Sequence, residues 1–426
     1  MNIKYINSKN NKLRNCTLKY IFILLSLFAF SNIKAQSDSS LFSAKYPFII
    51  DSLNIVNNDS ISLPNFYSKL LLLKNGDSTK LVIAHIGDSH IQADMFSGKI
   101  RKQLQKQFGN AGRGLIFPYR VAKTNGPDDY RSRTNTTWDI KRIISTSNPL
   151  PIGICGITIK TNCDSSFVHI RTNCDNMDYR FNTVKIFSEQ NAENYDLLIK
   201  DTTGKSLGFL KSSKYLGDYR MSKINLDTLI NEVVFQSVKI DSFQTTTQLY
   251  GFLLENNRAG VQYNTIGING AEFSHFNEAA YFQEQLSYTK PDLLIISLGT
   301  NDSFHDRFDS IAFRNQVMCL ISNLRLFNPN VEILIMTPPD SFKKRRYKNK
   351  NLLQVVEILT DICTLENIAY WNLFNIMGGS GSVAKWQVKK LAQRDRVHYT
   401  LSGYELQADM FYNALMNGFI KFENRH

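Results

Sequence analysis

Three stretches of this 426-residue chain are apolar almost from end to end and no longer than a strand: Lys80–Gly87, Asp292–Gly299 and Val331–Pro338. Short runs without polar alternation belong to strands buried on both faces, the mark of a parallel sheet covered by helices. Helical periodicity accompanies them. After the first run, Phe96, Ile100, Leu104 and Phe108 recur on one helical face, and Phe313–Phe327 and Leu352–Ile362 read as amphipathic helices. Ser402-Gly-Tyr-Glu405 has the spacing of a capping box that opens a last helix, with Leu406, Met410, Leu415 and Phe419 turned inward. Alternating strands and helices imply a three-layer α/β/α domain with a mostly parallel sheet. In such sheets ligands bind beyond the carboxyl ends of the strands.

The pattern is interrupted. From about residue 130 to 255, runs such as Gly156–Lys160, Ser166–Arg171, Thr183–Phe187, Tyr195–Lys200, Ser206–Leu210, Glu232–Ile240 and Gln248–Leu254 are separated by Asn, Asp, Ser and Gly clusters. Closely spaced short runs with no helical period between them suggest an all-β sandwich inserted into the α/β domain. The expected organisation is a lead-in at 36–78, a first α/β segment at 79–129, the β insert at 130–255 and a second α/β segment at 256–426. The lead-in is polar and mixed, and its Leu70–Leu73 run is expected to pack on the next domain.

A net charge of +13 looks like a nucleic-acid signal until its position is considered. Six of the basic residues, Lys4, Lys9, Lys12, Arg14, Lys19 and Lys34, fall in the first 35 residues, where there is no acid. They flank the short apolar run Tyr20–Phe30, which is followed by Ala35-Gln36. A basic leader, a short apolar core and a small residue at the boundary read as a secretory signal peptide over 1–35, cut near Ala35-Gln36. The mature chain is then expected to be secreted or periplasmic, with no integral membrane span and no nucleic-acid partner. Beyond the leader remain five cysteines, Cys155, Cys163, Cys174, Cys319 and Cys363, an odd number with no CxxC spacing. Nothing in that spacing supports a zinc site, and at least one thiol must be unpaired, or the whole set reduced. Cys319 and Cys363 stand in segments that read as buried helix.

Four polar blocks follow apolar runs: Gly87-Asp-Ser-His90, Gly267-Ile-Asn-Gly270, Gly299-Thr-Asn-Asp302 and Asp395-Arg-Val-His398. Ser89 falls on a tight strand-to-helix turn, beside the positive end of the helix. A serine hydroxyl is a weak nucleophile until a base takes its proton. His398, three residues after Asp395, suits that role, with Asp395 fixing the imidazole tautomer. Backbone N–H groups at that helix end are the donors that a developing oxyanion requires. Any one block alone is a commonplace turn; it is the four in order that point to acyl-transfer chemistry.

These blocks resemble those of the SGNH hydrolases, the GDSL-like esterases. Gly87-Asp-Ser-His90 is similar to the family's first block, with His90 where leucine is usual. Gly270 matches the second-block glycine and Asn301 the third-block asparagine. Asp395 and His398 match the last block, with Tyr399 where many members carry proline. The resemblance covers about residues 80–125 and 260–426. It implies Ser89, Asp395 and His398 as the catalytic set, and Ser89 N–H, Gly270 N–H and the Asn301 amide as the oxyanion hole. It also implies that neither cofactor nor metal takes part. With the β insert and His90, the chain looks most like the bacterial peptidoglycan O-acetylesterases, whose insert resembles a carbohydrate-binding module. The activity so implied is a serine esterase that removes O-acetyl groups from a cell-envelope glycan. Two alternatives share the same residues: a polysaccharide O-acetyltransferase using the same acyl-serine, and a non-catalytic glycan-binding envelope protein.

Several other residues could carry chemistry. His85 lies within a buried run and reads as a core histidine, and Asp94 and Asp302 read as turn caps. Trp138, Trp371 and Trp386 are better placed for packing than for sugar stacking. Lys343-Lys-Arg-Arg346, with Lys348 and Lys350, is a dense basic run that follows Thr337-Pro-Pro-Asp340 at a strand's carboxyl end. It reads either as a solvated loop or as a rim that attracts an anionic glycan or peptide carboxylates.

Overall fold

The computed structural model describes residues 42–146, 150–212 and 220–425, so residues 1–35, expected to be a signal peptide, lie outside the described residues. Residues up to Tyr46 form a unit of their own, whose described residues hold the single helical turn Phe42–Lys45. The remainder, from Pro47 onward, contains the α/β domain and the β insert.

The apolar runs do become a central sheet. Its order is Val56–Asn57, Ala369–Trp371, Glu332–Met336, Leu293–Ser297, Lys80–Gly87 and Gly260–Gly267. All neighbours are parallel except the short Val56–Asn57 edge strand, which runs antiparallel to Tyr370–Trp371. Helices cover both faces. On one side the last helix, Leu401–Glu423, packs on Met95–Phe108 and Pro64–Lys74, with Phe411 against Phe96 and Phe419 against Phe108 and Tyr67. On the other side Ser310–Phe327 and Lys350–Leu365 bury Phe313, Val317, Leu320, Leu324, Val355 and Leu359 in the core that holds Leu294, Ile296, Ile333 and Ile335. The Leu70–Leu73 run belongs to Pro64–Lys74, which buries Phe66, Tyr67, Leu70 and Leu73. Burying side chains of that size contributes about 1.5–3 kcal/mol each.

The insert forms two antiparallel sheets. One orders Ser206–Leu210, Asp196–Lys200, Glu232–Val238, Phe167–Thr172 and Tyr130–Thr134. The other orders Met221–Ile230, Phe181–Ser188, Thr247–Glu255, Ile157–Thr161 and Asp139–Arg142. Their facing sides meet where Phe235 stacks on Phe252, ring centroids 4.4 Å apart. Gly114–Ile116 also pairs with Phe252–Leu254, so the chain from the first α/β segment feeds a strand into the insert's sheet.

Two local expectations are corrected. Thr400, not Ser402, caps the last helix: its hydroxyl accepts the Gly403 N–H at 3.2 Å, and the helix starts at Leu401. Cys319 is exposed, because the buried stripe of its helix runs through Val317, Leu320 and Leu324, while Cys363 is buried as expected. None of the five described cysteines forms a disulfide.

Candidate active site

Sheet register brings three of the four blocks to one level. Gly87 sits opposite Gly267 on one side and Ser297 on the other. Ser89, Gly270 and Asn301 therefore lie two, three and four residues past the same rung of the sheet. Gly87 is a glycine because a Cβ there would run into the Ile91 side chain of the following turn. Asp88 caps that turn, its Oδ1 accepting the His90 N–H at 2.9 Å while its carbonyl accepts the Ile91 and Gln92 N–H groups. Ser89 is the first residue of the helical turn Ser89–Gln92, so its own N–H has no intrahelical acceptor.

The fourth block arrives from the loop before the last helix. Ser89 Oγ lies 2.9 Å from His398 Nε2, and His398 Nδ1 lies 2.8 Å from Asp395 Oδ2. Asp395 Oδ1 accepts the Val397 and His398 N–H groups, each at 3.0 Å, which locks the three-residue spacing into one turn. Partial burial opposes the Asp395 charge, but the hydrogen bonds from the His398 ring and from both N–H groups outweigh it and hold the carboxyl below its ordinary value. A serine joined in this way to an imidazole and a carboxylate has what it needs to attack a carbonyl carbon.

The oxyanion candidates are tied together. Gly270 has φ +82°, a region that suits glycine. Asn301 donates one amide proton to the Ala271 carbonyl at 3.0 Å, which anchors the residue after Gly270 and leaves its second amide proton available. Gln92, buried beneath the site, carries no signal in the sequence. Its Oε1 accepts the Asn269 N–H at 2.7 Å, and its Nε2 donates to Asn125 and Thr124. That network fixes the loop that carries Gly270.

Burial shifts the titratable groups next to the serine toward their neutral forms. The His90 ring lies tilted against that of His398, centroids 5.5 Å apart, and meets the Tyr404 hydroxyl at 3.0 Å through Nδ1. Burial, reinforced by His398, pushes its pKa down to about 3, so it stays neutral and does not compete for the Ser89 proton. Burial likewise raises Asp88 to about 6, despite hydrogen bonds from His90 N–H and Thr300, and raises Asp302 to about 7, helped by nearby Glu272. His85 is a core histidine, held between Tyr263 Oη at 2.8 Å and Ser297 Oγ at 2.7 Å. Asp94 joins a buried cluster with Arg101 and Arg113. Trp138, Trp371 and Trp386 are all buried.

Ser89, Gly270, Asn301, Asp395 and His398 are all half-buried rather than enclosed. A neighbouring cavity of about 30 Å³, bordered by His90, Ile91, Thr300, Tyr404 and Gln407, is lined by neither Ser89 nor His398. The reactive groups therefore open on the surface. Among the described residues, no three His, Cys, Asp or Glu side chains gather as a metal ion would require.

Residues 241–406 match the GDSL-like Lipase/Acylhydrolase family, a stretch that contains Gly270, Asn301, Asp395 and His398. Ser89 precedes it, separated by most of the β insert. A peptidoglycan O-acetylesterase has the same fold, with a TM-score of 0.71 at 22% identity, over 85% of this chain and 97% of that one. A lipase/acylhydrolase from Enterococcus faecalis is 19% identical over 37% of this chain and 77% of its own, with a TM-score of 0.30. A catalytic mutant of an acetylxylan esterase from Geobacillus stearothermophilus gives 19%, 37%, 73% and 0.30 in the same order. No curated protein matches. Residues 241–406 are thus similar to the GDSL-like lipases/acylhydrolases, and the chain as a whole shares the fold of a peptidoglycan O-acetylesterase.

Proposed function

We propose that the protein is an exported serine esterase that removes O-acetyl groups from a cell-envelope glycan, with peptidoglycan as its substrate. The observation that carries this reading is the continuous Ser89–His398–Asp395 hydrogen-bond chain at an open surface site. An acetyl group on a polymer can reach such a site without the polymer entering a pocket. The likeness of fold to a peptidoglycan O-acetylesterase, which extends over 85% of this chain, supports the choice of glycan.

In this reading Ser89 Oγ attacks the acetyl carbonyl carbon while His398 Nε2 takes the hydroxyl proton. Asp395 stabilises the imidazolium without taking the proton itself. The negative oxygen of the tetrahedral intermediate is held by Ser89 N–H, Gly270 N–H and the Asn301 amide. One such donor is worth about 3–4 kcal/mol of barrier. The intermediate collapses by breaking the carbon–oxygen bond to the sugar, whose oxygen takes the proton from His398. Water then attacks acetyl-Ser89, giving its proton to His398, and acetate leaves as Ser89 Oγ is reprotonated.

Acetate release from O-acetylated peptidoglycan and from acetylated xylan by the purified protein tests the reading. Release from peptidoglycan is expected. Release from xylan alone would keep the mechanism and overturn the substrate. An acetylated acceptor sugar formed in place of free acetate would overturn hydrolysis in favour of acetyl transfer.

A further inference from the structure

The basic run singled out in the sequence is a β-hairpin, Phe342–Lys343 paired with Tyr347–Lys348, and it spans two walls of the active site. On one side the Phe342 N–H donates to the Arg396 carbonyl at 2.9 Å, and Arg396 Nη1 donates to the Arg345 carbonyl at 3.2 Å. The Arg396 guanidinium also stacks over the Phe342 ring. Arg396 lies between Asp395 and His398, so the hairpin braces the loop that carries both. On the other side Lys343 Nζ donates to the His305 carbonyl at 3.1 Å and lies over the Phe304 ring, in the turn that begins at Asn301.

Anchored at its base in this way, the hairpin holds out Lys344, Arg345, Arg346 and Tyr347, all exposed. Among the described residues no carboxylate pairs with Lys344, Arg345 or Arg346. Their backbone is costly as well. Lys344 has φ +50° and Arg345 φ +62°, at turn positions where asparagine and glycine are ordinarily favoured. Non-glycine residues held at positive φ carry strain, and strain of this kind gathers at functional positions. Tyr347, 64% exposed, adds an aromatic face beside the charges. Guanidinium groups bind carboxylates through paired N–H donors, and tyrosine rings offer an apolar face to a sugar.

We propose that the Phe342–Lys348 hairpin is an acidic-glycan subsite, in which Lys344, Arg345 and Arg346 bind carboxylates carried by the polymer whose ester faces Ser89. The proposal rests on the esterase reading for the identity of that polymer. The charge itself acts on binding, whatever the chemistry at Ser89.

The test uses O-acetylated peptidoglycan before and after amidation of its carboxylates, with binding followed by co-sedimentation and acetate release measured separately. Amidation is expected to weaken binding of the unaltered protein roughly tenfold, within the range that surface charge exerts on association. Raising the salt is expected to weaken binding to the untreated polymer and to leave binding to the amidated one little changed. The Lys344→Asn, Arg345→Gly double variant keeps every backbone contact of the turn while relieving its strain. It is expected to unfold at a higher temperature than the unaltered protein, yet to lose the preference for the acidic polymer. Equal binding to both polymers, or a variant that keeps the preference, would overturn the subsite. Charge-dependent binding without acetate release would overturn the esterase reading instead, and acetate release with charge-independent binding would spare it.

Discussion

Ser89→Ala and His398→Ala each lower the turnover number for ester hydrolysis by about 10⁴–10⁶-fold, and the double variant is scarcely slower than either alone. The expectation follows from the shared proton. Ser89 Oγ sits 2.9 Å from His398 Nε2, so removing either atom removes the one step in which the nucleophile forms. What remains in each variant is the binding surface and the oxyanion donors, which do not need the serine–histidine pair. Asp395→Asn leaves the geometry in place but presents the wrong tautomer of His398, and a loss of about 10⁴-fold is expected. Steady-state kinetics on a small aryl acetate measures all four variants. Thermal unfolding should change little for Ser89→Ala, since its hydroxyl is half-buried and its partner His398 stays partly solvated. Single losses that multiply in the double variant would mean that the two residues act independently, against the shared-proton mechanism.

Arg101→Ala should cost about 3–5 kcal/mol of stability, measured by chemical denaturation. Arg101 and Arg113, each 1% exposed, meet Asp94 and Asp129 in direct contact. Arg101 Nη2 lies 2.6 Å from Asp129 Oδ2 and also bonds Asp94 Oδ2, while Arg113 Nε lies 2.8 Å from Asp129 Oδ2. Ser97 and Thr265 complete the Asp94 carboxylate at 2.6 and 3.0 Å, and the Arg101 Nε–H reaches the Tyr179 hydroxyl at 3.3 Å. Burial works against the Asp94 charge, but the two guanidinium groups overcome it and hold the carboxyl below the usual range. Removing Arg101 leaves two buried carboxylates facing one arginine. The cluster also joins the helix after Ser89, the strand leading to Gly270, Asp129 just before the insert and Tyr179 within it, so its loss should loosen the site together with the insert. The partly solvated pair between Lys99, on the same helix as Arg101, and Asp409 of the last helix is the contrast: Lys99→Ala should cost no more than about 1 kcal/mol. Similar losses for both variants would mean that the buried cluster contributes no more than a surface pair.

Much of this arrangement is legible in the sequence. Strands buried on both faces leave continuous apolar runs, and a polar block at the end of such a run must emerge at the sheet's carboxyl edge. That is why the blocks that hold Ser89, Gly270 and Asn301 stand out without knowing their register, while the resemblance to the SGNH hydrolases picks out Gly270 and Asn301 within them. His398 and Asp395 are legible because three residues of spacing suffice to fold one onto the other. What the sequence hides depends on contacts between distant segments. Tyr130–Thr134 and Met221–Ile230 carry no apolar run, and become strands because Phe167–Thr172 and Phe181–Ser188 offer them edges. Gln92 is one glutamine among many until the fold brings Asn269 and Asn125 to it. The basic hairpin could be a solvated loop on sequence grounds alone, and only its bonds to Arg396 and His305 place it at the rim.

The most direct test of the acyl-serine mechanism is the mass of the Ser89 peptide after a rapid acid quench during turnover of a small acetyl ester. The predicted result is one added acetyl group on the peptide that contains Ser89, absent from Ser89→Ala. An unmodified Ser89 in an enzyme that is still turning over, or an acetyl group found on another residue, would contradict it.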